Sequence, residues 1–290
     1  MIRAALRAAS IAVALLPCAG HAAEPELCGA PPEWTAIILP LERVAARIDA
    51  GGPLTIVAVG SSSTSGVGAS SPEFAYPSRL EAELRSRFPK LDLHMVNRGR
   101  SGEDAPEELA RLSSDVVALH PDLVIWQVGT NAVLRRDDLA ADGEWMREGV
   151  DLLKRSGIDV LLMDLQYAPR VLERSAYPVM EDLIAETANR AHVGLFRRFA
   201  VMRYWQHTHA ADAPAMIGID GLHMTDAGYG CLAADLAGAL EQNWRAETKL
   251  TRREHGVADA VAGLPAHSSR GPAAPEAHAV LRRNDATPFN

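Results

Sequence analysis

Leu54-Thr55-Ile56-Val57-Ala58-Val59-Gly60-Ser61-Ser62-Ser63-Thr64-Ser65-Gly66 decides the fold of this chain. The apolar half has the length and β-branched content of a strand buried on both faces. The hydroxyl-rich half cannot continue that strand. Gly60 tolerates a sharp turn, and the small side chains after it leave room for another molecule. A hydroxyl-rich turn therefore follows a central strand, at the carboxyl edge where open α/β sheets place their ligands. Ser62 is the candidate nucleophile there, flanked by Ser61 and Ser63.

Outward from this stretch, strands and helices alternate. Leu41, Val44, Ala45 and Ile48 have helical spacing ahead of it. Tyr76, Leu80, Leu84 and Phe88 mark a helix behind it, and Pro89 stops that helix. Leu91, Leu93 and Met95 alternate as in an edge strand. A helix follows, with Pro106 in its first turn and a stripe of Leu109, Leu112, Val116 and Leu119. Asp122 to Val128 and Ile158 to Met163 are two more apolar strands, separated by a helix closed by Gly157. A helix over about Ala176 to His192 precedes a short fifth strand, Val193 to Phe196. A polar and aromatic loop then leads to Asp220-Gly221-Leu222-His223. Thr225 can cap a final helix that turns Leu232, Leu236, Leu240 and Trp244 inward. Alternation of this kind demands a three-layer α/β/α fold, with helices on both faces of a parallel sheet. With two strands reading as edges, the expected five-stranded order is 2-1-3-4-5.

Composition narrows the function. The chain has 290 residues, 48% hydrophobic and 23% charged, with a net charge of −8. No basic excess points to nucleic acid, and no basic stripe is interleaved with aromatics. Arg3 and Arg7, an apolar stretch from Ala8 to Leu16, and small residues to Ala23 have the order of a secretory signal peptide. Nothing later has the length of a transmembrane helix. The expected organisation is a signal segment over 1–23, a lead-in over 24–52, a main α/β domain over 53–247 and a disordered, Pro/Ala-rich tail over 248–290. The mature chain is then periplasmic or secreted, and Cys28 with Cys231 is an even pair suited to one disulfide.

Ser62, the turn Asn97 to Gly102, and Asn131 in Gly129-Thr130-Asn131 fall at strand ends, and the loop before the last helix carries Asp220 with His223. In a doubly wound sheet these converge on one edge. Together they supply what acyl transfer needs. A serine attacks only when a base takes its proton, and His223 is that base. Asp220, three residues earlier, orients the imidazole. The backbone N–H groups of Ser62 and Gly102 and the Asn131 amide are donors for an oxyanion. Other readings of the same stretches fail. Thr64 stands where a Gly-x-Ser-x-Gly elbow needs glycine. No Gly-Lys-Ser/Thr follows for a phosphate loop, and Gly66-x-Gly68 lacks a third glycine. His207-x-His209 lacks the cysteine or acidic spacing of a metal site, so no metal and no cofactor is expected. Arg100, Gln127, Gln166 and Tyr167 lie near the strand ends but stay outside the site set.

The four blocks resemble those of the SGNH, or GDSL, hydrolases. Ser62 in Gly60-Ser61-Ser62 is similar to the serine of their Gly-Asp-Ser turn. Gly102 matches the glycine after Asn-x-x-x-x, Asn131 the asparagine of Gly-x-Asn, and Asp220 with His223 their Asp-x-x-His. The resemblance spans about Leu54 to Trp244. It implies a flavodoxin-like fold, no metal, and ester or thioester hydrolysis through an acyl-enzyme. Ser61 departs from the pattern by replacing an aspartate, and Ala132 replaces another after Asn131. The expected substrate is a small-molecule or glycan ester, such as an O-acetylated carbohydrate. Acyl transfer to a glycan uses the same residues, and a non-catalytic glycan-binding module is the third reading.

Overall fold

A computed structural model describes residues 28–135, 138–208 and 215–262, with side chains up to residue 247. The expected signal segment over 1–23 lies outside them. Two short helices, α1 (Pro32–Thr35) and α2 (Glu42–Asp49), lead into strand β1 (Leu54–Gly60). Then follow α3 (Ser62–Ser65), α4 (Tyr76–Arg87), β2 (Leu93–Gly99), α5 (Ala105–Asp115) and β3 (Leu123–Gln127). Next come α6 (Thr130–Arg135), α7 (Leu139–Arg155), β4 (Asp159–Met163), α8 (Pro169–Leu172) and α9 (Tyr177–Ala191). β5 (Gly194–Phe196), α10 (Arg198–Thr208) and α11 (Asp226–Ala262) complete the described chain.

All five strands are parallel, in the order β2-β1-β3-β4-β5. Every residue of β3 is buried, as its unbroken apolar run requires. β2 is only partly buried along its length, as befits an edge. Side chains alternate between two cores, one on each face of the sheet. Ile56, Ala58, Ile125 and Leu161 join Leu80, Leu84, Leu232 and Leu236 on one face. Val57, Val59, Trp126 and Leu162 join Leu112, Val150, Leu153 and Ile184 on the other.

Two differences from the sequence reading have physical causes. The expected polar and aromatic loop after β5 is instead the helix α10. Its buried stripe of Phe199, Val201, Met202 and Trp205 is masked in the sequence by interspersed arginines and a histidine, and Arg198 at its start is itself buried. Leu119 is exposed, because α5 ends at Asp115 before the stripe reaches it. The last helix runs to Ala262, past position 248 where a disordered tail is expected to begin. The chain divides into two units at Leu250 and Thr251, and the fold described here is that of the first.

The lead-in is pinned to α11. Asn243 Oδ1 accepts from Leu41 N–H, and its amide donates to the carbonyls of Ile37 and Leu39 at 2.9 and 3.0 Å. Asp235 Oδ2 accepts from Ala30 N–H and from the Trp205 indole. Cys28 and Cys231 form the expected disulfide, with the Cys231 side chain fully buried. Among the described residues, no helix is long and apolar enough to cross a membrane.

The disulfide closes a loop of 203 residues, for which restriction of the unfolded chain contributes about 5 kcal/mol at most. Replacing both cysteines by serine is therefore expected to lower Tm by roughly 5–20 °C, measured by calorimetry. An unchanged Tm would show that the covalent link adds nothing to the packing of the lead-in.

Candidate active site

The carboxyl edge of β1 is shaped by a steric constraint. Gly60 has φ of +152°, and a Cβ there would lie 2.4 Å from Thr64 Oγ1 and 2.8 Å from the Gln127 carbonyl. Only glycine fits, so the chain turns at once into α3, with Ser62 as its first residue. The turn is fastened to β3 by the Gln127 side chain. Gln127 Oε1 accepts from Ser61 N–H, Ser61 Oγ and Thr64 Oγ1 at 3.2–3.3 Å. Ser61 is 4% exposed. The residue replacing the expected aspartate is thus a buried strut. The fully buried Gln127 side chain was not placed in the site from sequence, because its partners lie on the neighbouring strand's turn.

Ser62 Oγ lies 2.9 Å from His223 Nε2. His223 Nδ1 lies 2.5 Å from Asp220 Oδ2. Asp220 Oδ1 accepts from the N–H groups of Leu222 and His223, both at 3.0 Å. The three-residue spacing therefore lets one carboxylate brace both its own turn and the imidazole. Desolvation pushes the Asp220 carboxyl upward, but the bonds from the His223 ring and the two amides outweigh it and hold the group below the ordinary aspartate range.

His223 is set in a narrow turn closed by a bridge between Ile217 and Met224. The loop after α3 presses against this turn: a Cβ on Gly68 would meet His223 Cβ at 3.0 Å. Ser70 N–H and Oγ donate to the Asp226 carboxylate at 2.8 and 2.6 Å. Thr225 Oγ1 accepts from Gly228 N–H as the expected cap of α11. Tyr229, one turn into α11, donates its hydroxyl to the Val67 carbonyl at 2.7 Å. The first and fourth blocks are thus locked together across 161 residues of sequence.

The second and third blocks meet in the same way. Asn97 in β2 donates to the Thr64 carbonyl at 2.8 Å, and Ser101 Oγ lies 3.0 Å from Ser65 Oγ. Gly102 has φ of +87°, and the space beside it holds no protein atom within 4 Å. The backbone conformation is thus what requires glycine here, in addition to the expected approach of a substrate. Asn131, in the first turn of α6, donates its amide to the Glu103 carbonyl at 2.7 Å. This bond ties Asn131 to the residue next to Gly102. Asp104 caps α5 through a capping box and also accepts from Gly129 N–H at 3.3 Å. Ser62 heads α3, so its N–H takes no part in that helix's own bonding.

Among the described residues, no group of three or more His, Cys, Asp or Glu side chains has the arrangement of a metal site. His207 Nδ1 faces the Arg203 carbonyl at 2.7 Å. His209 lies outside the described residues.

A family model described as the non-GDSL lipase-like family matches residues 27–246. An acetylxylan esterase of Geobacillus stearothermophilus is 39% identical over 56 residues, which are 19% of this chain and 26% of that protein. The chain thus aligns with about a quarter of that relative's length. Among solved structures, a two-domain esterase active on acetylated mannans superposes with a TM-score of 0.59 at 22% identity, covering 73% of this chain and 56% of its own. The acetylxylan esterase Axe2 of Geobacillus stearothermophilus superposes with a TM-score of 0.54 at 22% identity, covering 66% and 94%. At these identities the two structures speak to the fold, which they share. The sheet order, the four blocks and a family match across most of the chain agree, and the chain belongs to the non-GDSL lipase-like family within the SGNH hydrolase superfamily.

Proposed function

We propose that this chain is a carboxylic ester hydrolase that works through a Ser62 acyl-enzyme. The observation that carries the reading is the unbroken path from Asp220 through His223 to Ser62 Oγ, with steps of 2.5 and 2.9 Å. His223 Nε2 takes the Ser62 proton as Oγ attacks the ester carbonyl. Asp220, held ionised, fixes the ring's tautomer and stabilises the imidazolium. The Ser62 and Gly102 N–H groups and the second Asn131 amide hydrogen receive the oxyanion. His223 then returns its proton to the leaving alcohol. Water attacks the acyl-enzyme by the same route, which releases the acid and restores Ser62.

An O-acetylated carbohydrate is the substrate class we favour. The support is that a relative is an acetylxylan esterase and that a structural neighbour acts on acetylated mannans. The Cys28–Cys231 disulfide belongs to oxidising surroundings, which supports action outside the cytoplasm, as does the leader-like order of residues 1–23.

A fluorophosphonate probe should label Ser62, and Ser62→Ala should abolish labelling and lower esterase turnover by on the order of 10⁴-fold or more. Labelling that moves to Ser61 or Ser63, or persists unchanged, would refute the assignment. The pH–rate profile should fall on its acid side, since a protonated imidazole accepts no proton. Asp220, with its carboxyl held low, stays ionised through that fall. A profile flat well below neutrality would contradict the assignment of His223 as base.

A further inference from the structure

Arg198, the first residue of α10, is fully buried, and the proposed mechanism gives it no part. Its Nη2 donates to Gln166 Oε1 at 2.8 Å, while Nε and Nη1 have no hydrogen-bond partner among the described residues. None of the salt bridges among the described residues includes it, and Asp164 is the carboxylate whose charge acts on it. Burial lowers the guanidinium to about 10, so it remains charged at neutral pH. The ionisable groups whose fields reach it are Asp164, Tyr76 and Tyr229. Burial pushes Asp164 up to about 7, and its Oδ1 already accepts from Phe199 N–H at 2.9 Å. Burying a cation without a salt-bridge partner is costly, and an apolar side chain often serves a core as well.

The surroundings of Arg198 lead to the catalytic blocks on two sides. Gln166 Oε1, which takes the Arg198 bond, also accepts from Thr130 Oγ1 at 3.0 Å, and Thr130 directly precedes Asn131. Tyr229 binds the Val67 carbonyl just after the nucleophile turn and interacts with the hydroxyl of Ser63. Through Gln166, one positive charge thus stands a single residue behind the Asn131 turn, and its field reaches Tyr229 beside the nucleophile turn.

Building on the hydrolase reading, we propose that Arg198 is a positioning residue that orients the Asn131 turn through Gln166 and supplies a buried positive field favouring the anionic tetrahedral intermediate. Such a field is effective because the guanidinium is fixed in place and shielded from water before the reaction starts. It acts on the transition state more than on substrate binding, so its loss lowers kcat and leaves KM nearly unchanged.

Three variants of the full chain test this with p-nitrophenyl acetate. Arg198→Met removes the charge. Gln166→Glu keeps Arg198 and the shape of the network but places a carboxylate against the guanidinium. Arg198→Lys keeps the charge. The Met and Glu variants should each lower kcat about tenfold, less than loss of a direct oxyanion donor, with KM within about twofold of wild type. The Lys variant should recover most of the rate. Thermal melts establish that each variant is folded, and if Arg198→Met is not, Gln166→Glu decides the question. A folded Gln166→Glu variant with wild-type kcat would overturn the role of Arg198. A wild-type chain with no Ser62-dependent turnover would overturn the hydrolase reading first, and this proposal with it.

Discussion

The end of β1 carries the constraint on which the site depends. A strand buried on both faces must leave the sheet within one residue, because Thr64 and Gln127 already occupy the space a side chain at position 60 would need. Gly60 allows that exit, and the Gln127 side-chain oxygen gathers the turn with bonds from Ser61 and Thr64. Ser62 is thereby held at the head of a short helix with its hydroxyl facing His223. The adjoining blocks are fitted to this turn. Asn97 and Ser101 attach the second block to α3, and the Gly68 to Ser70 loop attaches the fourth.

The site is therefore rigid for reasons that lie in the fold, not in the triad alone. Each proposed participant has a second contact that fixes it. Asp220 braces two amides beside the imidazole, and Asn131 is tied to Glu103. In the proposed mechanism such support keeps the donors aimed where charge develops, with little reorganisation during reaction. The buried polar layer beneath, around Gln166 and Arg198, continues this support away from solvent.

Much of the fold was legible in the sequence because burial leaves a period. The almost wholly apolar run Asp122 to Val128 read as a central strand, and the partial alternation of Leu91, Leu93 and Met95 marked an edge. Three blocks were legible because each sits where a strand must end, and the fourth because it lies just before the final helix. What escaped had signals that were diluted or non-local. The stripe of α10 is interrupted by charges, and Arg198 looks like a surface residue until its helix is placed against the sheet. Ser61 was legible as a departure from the Gly-Asp-Ser pattern, but its role as a strut depends on Gln127, 66 residues away. The positive φ at Gly102 is likewise a property of the folded loop.

The covalent intermediate is the central claim, and acid-quenched peptide mass spectrometry during turnover of an acetyl ester addresses it most directly. The account predicts one acetyl group on the peptide containing Ser62, localised to that residue by fragmentation and lost once substrate is exhausted. An acetyl group on Ser61 or Ser63, or product formation under conditions that leave every serine unmodified, would contradict it.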